Sequence, residues 1–237
     1  FFITKSILSK TYLADKGLDE THIFALGVGM NRDALENREA NQSDVCTAIE
    51  NLEAEIKLLY VGEFMPRRHL KFMGDIIAEL KKRECKLIMI GKSNTDYGKG
   101  VKEYFENNNL NDNVYYVDRI EQRYLSRVYK ACTAFLFPST YEIFGMVLME
   151  AMYFGLPVIS CENGGSTMLI KNGINGFVEN ELNAKKWAEK IIQIKDGTIA
   201  DISMNARNTI LNRFTWDALV SQFIQVYEKR LIDDNKC

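Results

Sequence analysis

The chain has 237 residues, 46% hydrophobic and 26% charged, with a net charge of −2. That balance is ordinary for a soluble globular protein with ample core, and it gives no general electrostatic reason to expect a nucleic acid partner. No apolar run reaches the roughly 18 residues that a membrane-spanning helix requires.

In chain order, FFITKS reads as a strand that starts abruptly, with no signal peptide, and suggests a piece of a longer chain. FFIT, a cap at Ser6, a helix to Lys16–Gly17 and HIFALGVG (22–29) make one strand–helix–strand unit. A polar stretch from Met30 to about Glu55 reads as a linker, with a helix near 43–54. Strands are then expected at 57–62, 86–91, 113–117, 133–138 and 156–160. Helices are expected between them at 74–83, 101–108, 122–131 and 145–154, followed by a short helix and a strand at NGF (175–177). Near-continuous apolar strands alternating with helices predict an α/β fold, a Rossmann-like parallel sheet with helices on both faces. From about residue 182 the strands stop. AKKWAEKIIQI, ISMNARNTILNRF and WDALVSQFIQVYEKRLI read as helices, the last capped by Thr215.

The five cysteines, Cys46, Cys85, Cys132, Cys161 and Cys237, are odd in number and widely spaced, and read as reduced thiols of a cytosolic protein. With His22 and His69 the only histidines, ligands for a zinc site are lacking. Pro66 and Pro138 follow strands at the carboxyl edge, where open α/β sheets bind ligands.

The stretch PSTYEIFGMVLME (138–150) places Glu142 in the loop after a strand and Glu150 about two turns into the next helix. The two lie roughly 12 Å apart along the helix axis at 1.5 Å per residue. Between them Ile143, Phe144, Gly145 and Met146 mark a helix N-terminus, whose free N–H groups and positive dipole end suit phosphate. The carboxylates suit hydroxyls instead. On spacing alone Glu142 is equally a helix-capping acid and Glu150 an exposed helical residue.

The full string PSTYEIFGMVLMEAMYFGLPVISCENGG resembles the C-terminal nucleotide-sugar-binding domain of retaining glycosyltransferases of the GT-B fold, especially family 4. Pro138–Ser139, Glu142, Phe144–Gly145, Glu150–Ala151–Met152, Gly155–Leu156–Pro157–Val158 and Gly164–Gly165 carry it, with NGINGFV at 172–178. The likeness extends over about 57–230. YVGEFMPRRH (60–69) is similar to the family's phosphate loop, with Arg68 at a lysine position, Glu63 replacing an arginine and His69 replacing a glycine. Arg67 or Lys71 compensates for the lost arginine, or phosphate binding rests on the helix N-terminus. Met168 stands where the family has a glutamate.

The resemblance implies transfer of a sugar from a nucleotide-diphosphate-sugar donor with retention, without a metal or other cofactor, through a front-face, oxocarbenium-like step. Arg68 and the amides near Gly145–Met146 would hold the diphosphate, Glu142 the donor sugar and Glu150 the ribose. Glu142 and Arg68 would be the catalytic pair, with catalysis mainly by positioning and charge. Arg119 and Ile120 would lie beside the base, Gly91 and Lys92 near the phosphates. Residues 1–29 would be the remnant of an acceptor-binding domain, 30–55 a linker, 56–198 the donor domain, and 199–237 C-terminal helices, the last crossing back. The acceptor, a glycan or lipid-linked sugar, would be held by the missing half, so this chain would bind nucleotide without transferring sugar. A cytoplasmic location is implied, with peripheral contact at the inner membrane face left open. An NAD-linked dehydrogenase would need G-x-G-x-x-G, and GVGMNR (27–32) lacks the third glycine. The acid and histidine pattern of a sugar-nucleotide epimerase is not visible. An inactive, protein-binding scaffold is the alternative, motivated by Glu63 and Met168.

Overall fold

The computed structural model describes residues 1–36, 44–198 and 201–234. Six strands form one parallel sheet: β3 (Ile56–Val61), β4 (Cys85–Ile90), β5 (Val114–Val117), β6 (Ala134–Phe137), β7 (Val158–Ser160) and β8 (Phe177–Val178). Their spatial order is β5-β4-β3-β6-β7-β8. The chain builds outward from β3 to β5, returns to the middle at β6, and builds outward again to β8.

Side chains alternate between the two faces, so each strand feeds two cores. Leu59, Val61, Ile88 and Ile90 enter one; Leu58, Tyr60, Leu87 and Met89 enter the other. The first core is closed by α6 (Gln122–Ala131), α7 (Met146–Tyr153) and α10 (Ile202–Arg213). The second is closed by α4 (Leu70–Glu79), α5 (Asp96–Asn107) and α9 (Ala184–Lys195). Phe72, Met73, Ile76 and Ile77 of α4 are buried, each contributing about 1.5–3 kcal/mol by leaving water. Trp187 of α9 sits edge-on to Phe72 at 5.4 Å and satisfies its Nε1–H on the Glu181 carbonyl.

Three element boundaries differ from the sequence reading. α4 begins at Leu70 rather than 74, because the chain enters it through a tight Pro66–Arg68 turn and Gly74 lies inside the helix. α5 begins at Asp96, capped by Thr95 Oγ1 accepting from the Gly98 amide at 3.1 Å. Gly98 and Gly100 in its first turn and a half weaken helix propensity and hide that start. β7 begins at Val158, not 156, since Pro157 offers only its carbonyl, which accepts from Phe135 N.

At the front, β1 (Phe2–Thr4) pairs parallel with β2 (Ile23–Ala25), and α1 (Ile7–Asp15) starts where Ser6 Oγ accepts from Ser9 N. The stretch after Met30 carries two short helices, α2 (Arg32–Glu36) and α3 (Asp44–Glu50). Both pack on α6, with Leu35, Cys46 and Ile49 buried. Ser43, within the expected 43–54 helix, lies outside the described residues. Lys57 Nζ donates to the Ile49 and Glu50 carbonyls at the C-terminus of α3, and Arg127 grips Glu50 through Nε and Nη2. α11 (Trp216–Asp234) begins after Thr215, whose Oγ1 accepts from Ala218 N at 3.3 Å. It runs back to the front unit, where Arg230 donates to the Thr21 carbonyl and Tyr227 meets Phe1 edge-on. Among the described residues no helix is long and apolar enough to cross a membrane. Cys46, Cys85, Cys132 and Cys161 are in no disulfide, and burial pushes the Cys85 and Cys132 thiols up to about 12. Cys237 lies outside the described residues.

Candidate functional site at the topological switch point

The chain leaves β3 toward β4 and leaves β6 toward β7, on opposite sides of the β3/β6 seam. Such a divergence opens a crevice at the carboxyl ends of the two strands. The loops after β3 (62–69) and β6 (138–145) face each other across it. His69 ends the first loop in the left-handed conformation, φ 48° and ψ 44°, which explains why glycine suits this position. Its Nε2 lies 3.1 Å from Thr140 Oγ1 of the second loop and ties the two together.

Arg68 and Glu142 meet at the seam. Arg68 Nη2 is 2.8 Å from Glu142 Oε2, and Arg67 Nη1 is 3.6 Å from the same oxygen. Arg67 also donates to the Tyr141 carbonyl. The Arg68 side chain is only 11% exposed and lies over the Phe137 ring at 4.6 Å. Its Nε and Nη1 are buried with no acceptor. A guanidinium keeps its charge at any ordinary pH, so a buried cation here presents two unmet N–H donors.

Gly145 follows as the N-cap of α7, at φ 77° and ψ 66°, a conformation that favours glycine. Glu142 Cγ lies 3.4 Å from where a Gly145 Cβ would stand, so the acid and the helix N-terminus are adjacent. The Gly145 carbonyl accepts from Leu148 and Met149. The amides of Gly145, Met146 and Val147 have no acceptor among the described residues, as helix N-termini leave them. Ile143 and Met146 expose about half of their side chains, whereas the Phe144 ring is buried against Phe214. Phe144 therefore offers the crevice backbone only.

A third loop supports this one. Gly164 N donates to the Glu142 carbonyl at 2.9 Å. Gly165 packs so closely that a Cβ on it would collide with the Phe144 carbonyl oxygen. The turn is held by Asn163, buried, whose Oδ1 accepts from Gly165 N and Ser166 N and whose Nδ2 donates to the Ser139 carbonyl. The glycine pair is visible in the sequence, but the role of Asn163 beside it is not. Met168, on the short helix α8 (Ser166–Leu169), is 6% exposed and belongs to the core, so it brings no carboxylate to the crevice.

Glu150 lies two turns into α7, 7% exposed. It is not an exposed helical residue. Tyr129 OH donates to its Oε2 at 3.0 Å, and Gln122 Nε2 donates to its Oε1 at 3.3 Å. Burial raises its pKa above the ordinary carboxylate value, and the two hydrogen bonds pull it back down. Neither partner was singled out by the sequence reading. The only signal for Tyr129 is an aromatic with a polar tip on the buried stripe of α6, which also reads as plain core.

The remaining candidates line the neighbouring loops. Gly91 follows β4 and donates its amide to the Val117 carbonyl, and Lys92 beside it is exposed. Ser93 Oγ donates to Asp118 Oδ1 at 3.0 Å and joins the loops after β4 and β5. Arg119 is exposed, and Ile120 is half-buried against the first core. Glu63 is exposed, its carbonyl accepting from Tyr60 OH. Lys71 lies on α4, its Nζ 5.9 Å from the Tyr104 ring, away from the Arg68 cluster. Arg67, not Lys71, is thus the second cation beside Glu142.

Comparison with known proteins fits this geometry. A family model described as "Glycosyl transferases group 1" matches residues 47–209. An uncharacterized glycosyltransferase of Methanocaldococcus jannaschii is 24% identical over 181 residues, 73% of this chain and 45% of its own length. A glycosyltransferase of Rickettsia africae superposes with a TM-score of 0.82 at 21% identity, covering 97% of this chain and 63% of its own. Anabaena HepE, solved with UDP and glucose, superposes with a TM-score of 0.79 at 21% identity, over 95% of this chain and 62% of its own. The chain thus spans about half to two-thirds of the length of these three proteins. Its sheet and helical C-terminus have the architecture of the C-terminal half of a GT-B fold, and the chain belongs to the group 1 glycosyl transferases.

Proposed function

We propose that this chain is the donor-binding half of a retaining glycosyltransferase that uses a nucleotide-diphosphate sugar. The observation that carries the reading is Arg68, a buried cation with two N–H donors lacking acceptors, beside the open amides at the start of α7. Both features call for an anion with several oxygens, which a diphosphate supplies. Glu142 then accepts hydrogen bonds from hydroxyls of the donor sugar and fixes the Arg68 fork. Glu150 accepts from the ribose hydroxyls. Arg119 and Ile120 flank the base, and Gly91 and Lys92 lie toward the phosphates. As the sugar–phosphate bond breaks, charge grows on the leaving diphosphate. Arg68 and the Gly145 and Met146 amides lower that barrier by standing already oriented. The protein cations do this without a metal or other cofactor. Anabaena HepE, bound to UDP and glucose, supports the choice of ligand.

Residues 1–29 and α11 belong, in this reading, to the acceptor-binding side. Residues 30–55 connect it to the donor domain at 56–198. The acceptor, a glycan or lipid-linked sugar, is engaged mainly by protein beyond this chain, so the chain by itself binds nucleotide and transfers no sugar. Calorimetry with UDP, GDP and ADP tests this. One of the three should bind with measurable heat, and a chain that binds none would instead be a scaffold.

A further inference from the structure

We propose that Tyr129 is a positioning residue for nucleotide binding: its sealed hydroxyl holds Oε2 of Glu150, so that Oε1 is aimed at the ribose, with Gln122 occupying Oε1 until the ribose hydroxyls arrive. This rests on the donor-site reading above and adds the residues that make Glu150 competent for it.

Three observations carry it. First, Tyr129 is fully buried, and its hydroxyl has one partner, Glu150 Oε2 at 3.0 Å. Its ring is fixed by stacking on Phe154 at 5.6 Å and by a tilted contact with Phe135 at 6.1 Å. A buried hydroxyl with one acceptor and a locked ring cannot turn elsewhere without losing its hydrogen bond. Second, Glu150 is nine-tenths buried, yet no cation pairs with it, so its charge is supported by hydrogen bonds alone. A glutamate needed only for packing would be replaced without loss by an apolar residue. Third, the two partners differ. Gln122 is exposed, stands at the first position of α6, and donates across a longer 3.3 Å contact. A long bond to an exposed amide is the one a ligand hydroxyl displaces most easily. Tyr129 is the fixed contact and Gln122 the exchangeable one. The charged side chains near Tyr153, at the far end of α7, act elsewhere: Arg207 donates to the Tyr153 carbonyl, and Glu36 accepts from its hydroxyl.

The test compares UDP with 2′,3′-dideoxy-UDP on the wild-type chain and on Tyr129→Phe, Gln122→Ala and Glu150→Gln. Wild type should prefer UDP. Tyr129→Phe should weaken UDP by about tenfold, the loss of one charge-assisted hydrogen bond, and leave the dideoxy nucleotide within twofold. Gln122→Ala should hold UDP within threefold. In the Glu150→Gln background, Tyr129→Phe should add no further loss. Equal weakening of both nucleotides by Tyr129→Phe would make the tyrosine purely structural and overturn the proposal, as would unchanged UDP binding. If Tyr129→Phe does not fold, Gln122→Ala and Glu150→Gln decide. UDP lost on removing Gln122, or a wild type blind to the ribose hydroxyls, would refute it. If wild type binds none of UDP, GDP or ADP, the donor-site reading itself fails and the role of Tyr129 falls with it.

Discussion

Replacing Arg68 by methionine separates binding from folding. Methionine keeps the length and the contact with Phe137 while removing the charge and the donors. In the free chain two effects oppose each other. The substitution relieves two buried N–H groups without acceptors, each costing about 1–3 kcal/mol. It also breaks the 2.8 Å ion pair with Glu142, but that carboxylate is 17% exposed and keeps Arg67 at 3.6 Å. The expected change in stability is within about 2 kcal/mol in either direction. Binding has no such compensation. Two charge-assisted hydrogen bonds to a diphosphate at about 1.5–3 kcal/mol each amount to about 3–6 kcal/mol, a loss of roughly 100-fold to 10,000-fold in affinity. Urea unfolding measures the first quantity and nucleotide calorimetry the second. Nucleotide affinity within threefold of wild type in the methionine variant would refute the assignment of those donors to phosphate. A large drop in stability with intact affinity would make Arg68 a structural cation.

Two further outcomes follow from the same site. Gly165→Ala drives a Cβ into the Phe144 carbonyl, and an overpacked backbone should cost about 1–3 kcal/mol in urea unfolding; nucleotide affinity should fall with it, because Phe144 leads into the Gly145 turn. Glu150→Gln should weaken UDP at least tenfold yet stabilise the free chain at neutral pH. The folded-state pKa of Glu150 is raised above its ordinary 4.5, so the folded wild type holds that proton more tightly than the unfolded chain. Its stability from this group therefore falls as pH rises from 4.5 through the folded value and is flat above it. The advantage of the glutamine variant should grow across that window in thermal melts. An advantage independent of pH would mean Glu150 is not the group responsible.

Much of the architecture is local information. Apolar runs such as KLLYV and KLIMI announce buried parallel strands, and Ser6 and Thr215 announce helix starts through side-chain oxygens a few residues from the amides they cap. Glu142, Gly145 and Glu150 stand out because they lie within one short stretch. The start of α5 stays hidden because its glycines contradict the helix that tertiary packing imposes. The sequence also displays Arg68, but not its partner.

Which loops share the crevice is decided only by strand order. Arg68 and Glu142 are 74 positions apart, and they meet because β6 inserts beside β3 rather than beside β5. Tyr129 reaches Glu150 because α6 and α7 cover the same face of the sheet. Periodicity and capping act over three or four residues, so the sequence by itself determined the strands, the helices and the two acids. Pairing across the sheet depends on how whole elements stack, so only the tertiary structure decided which cation, which tyrosine and which glycine complete the site.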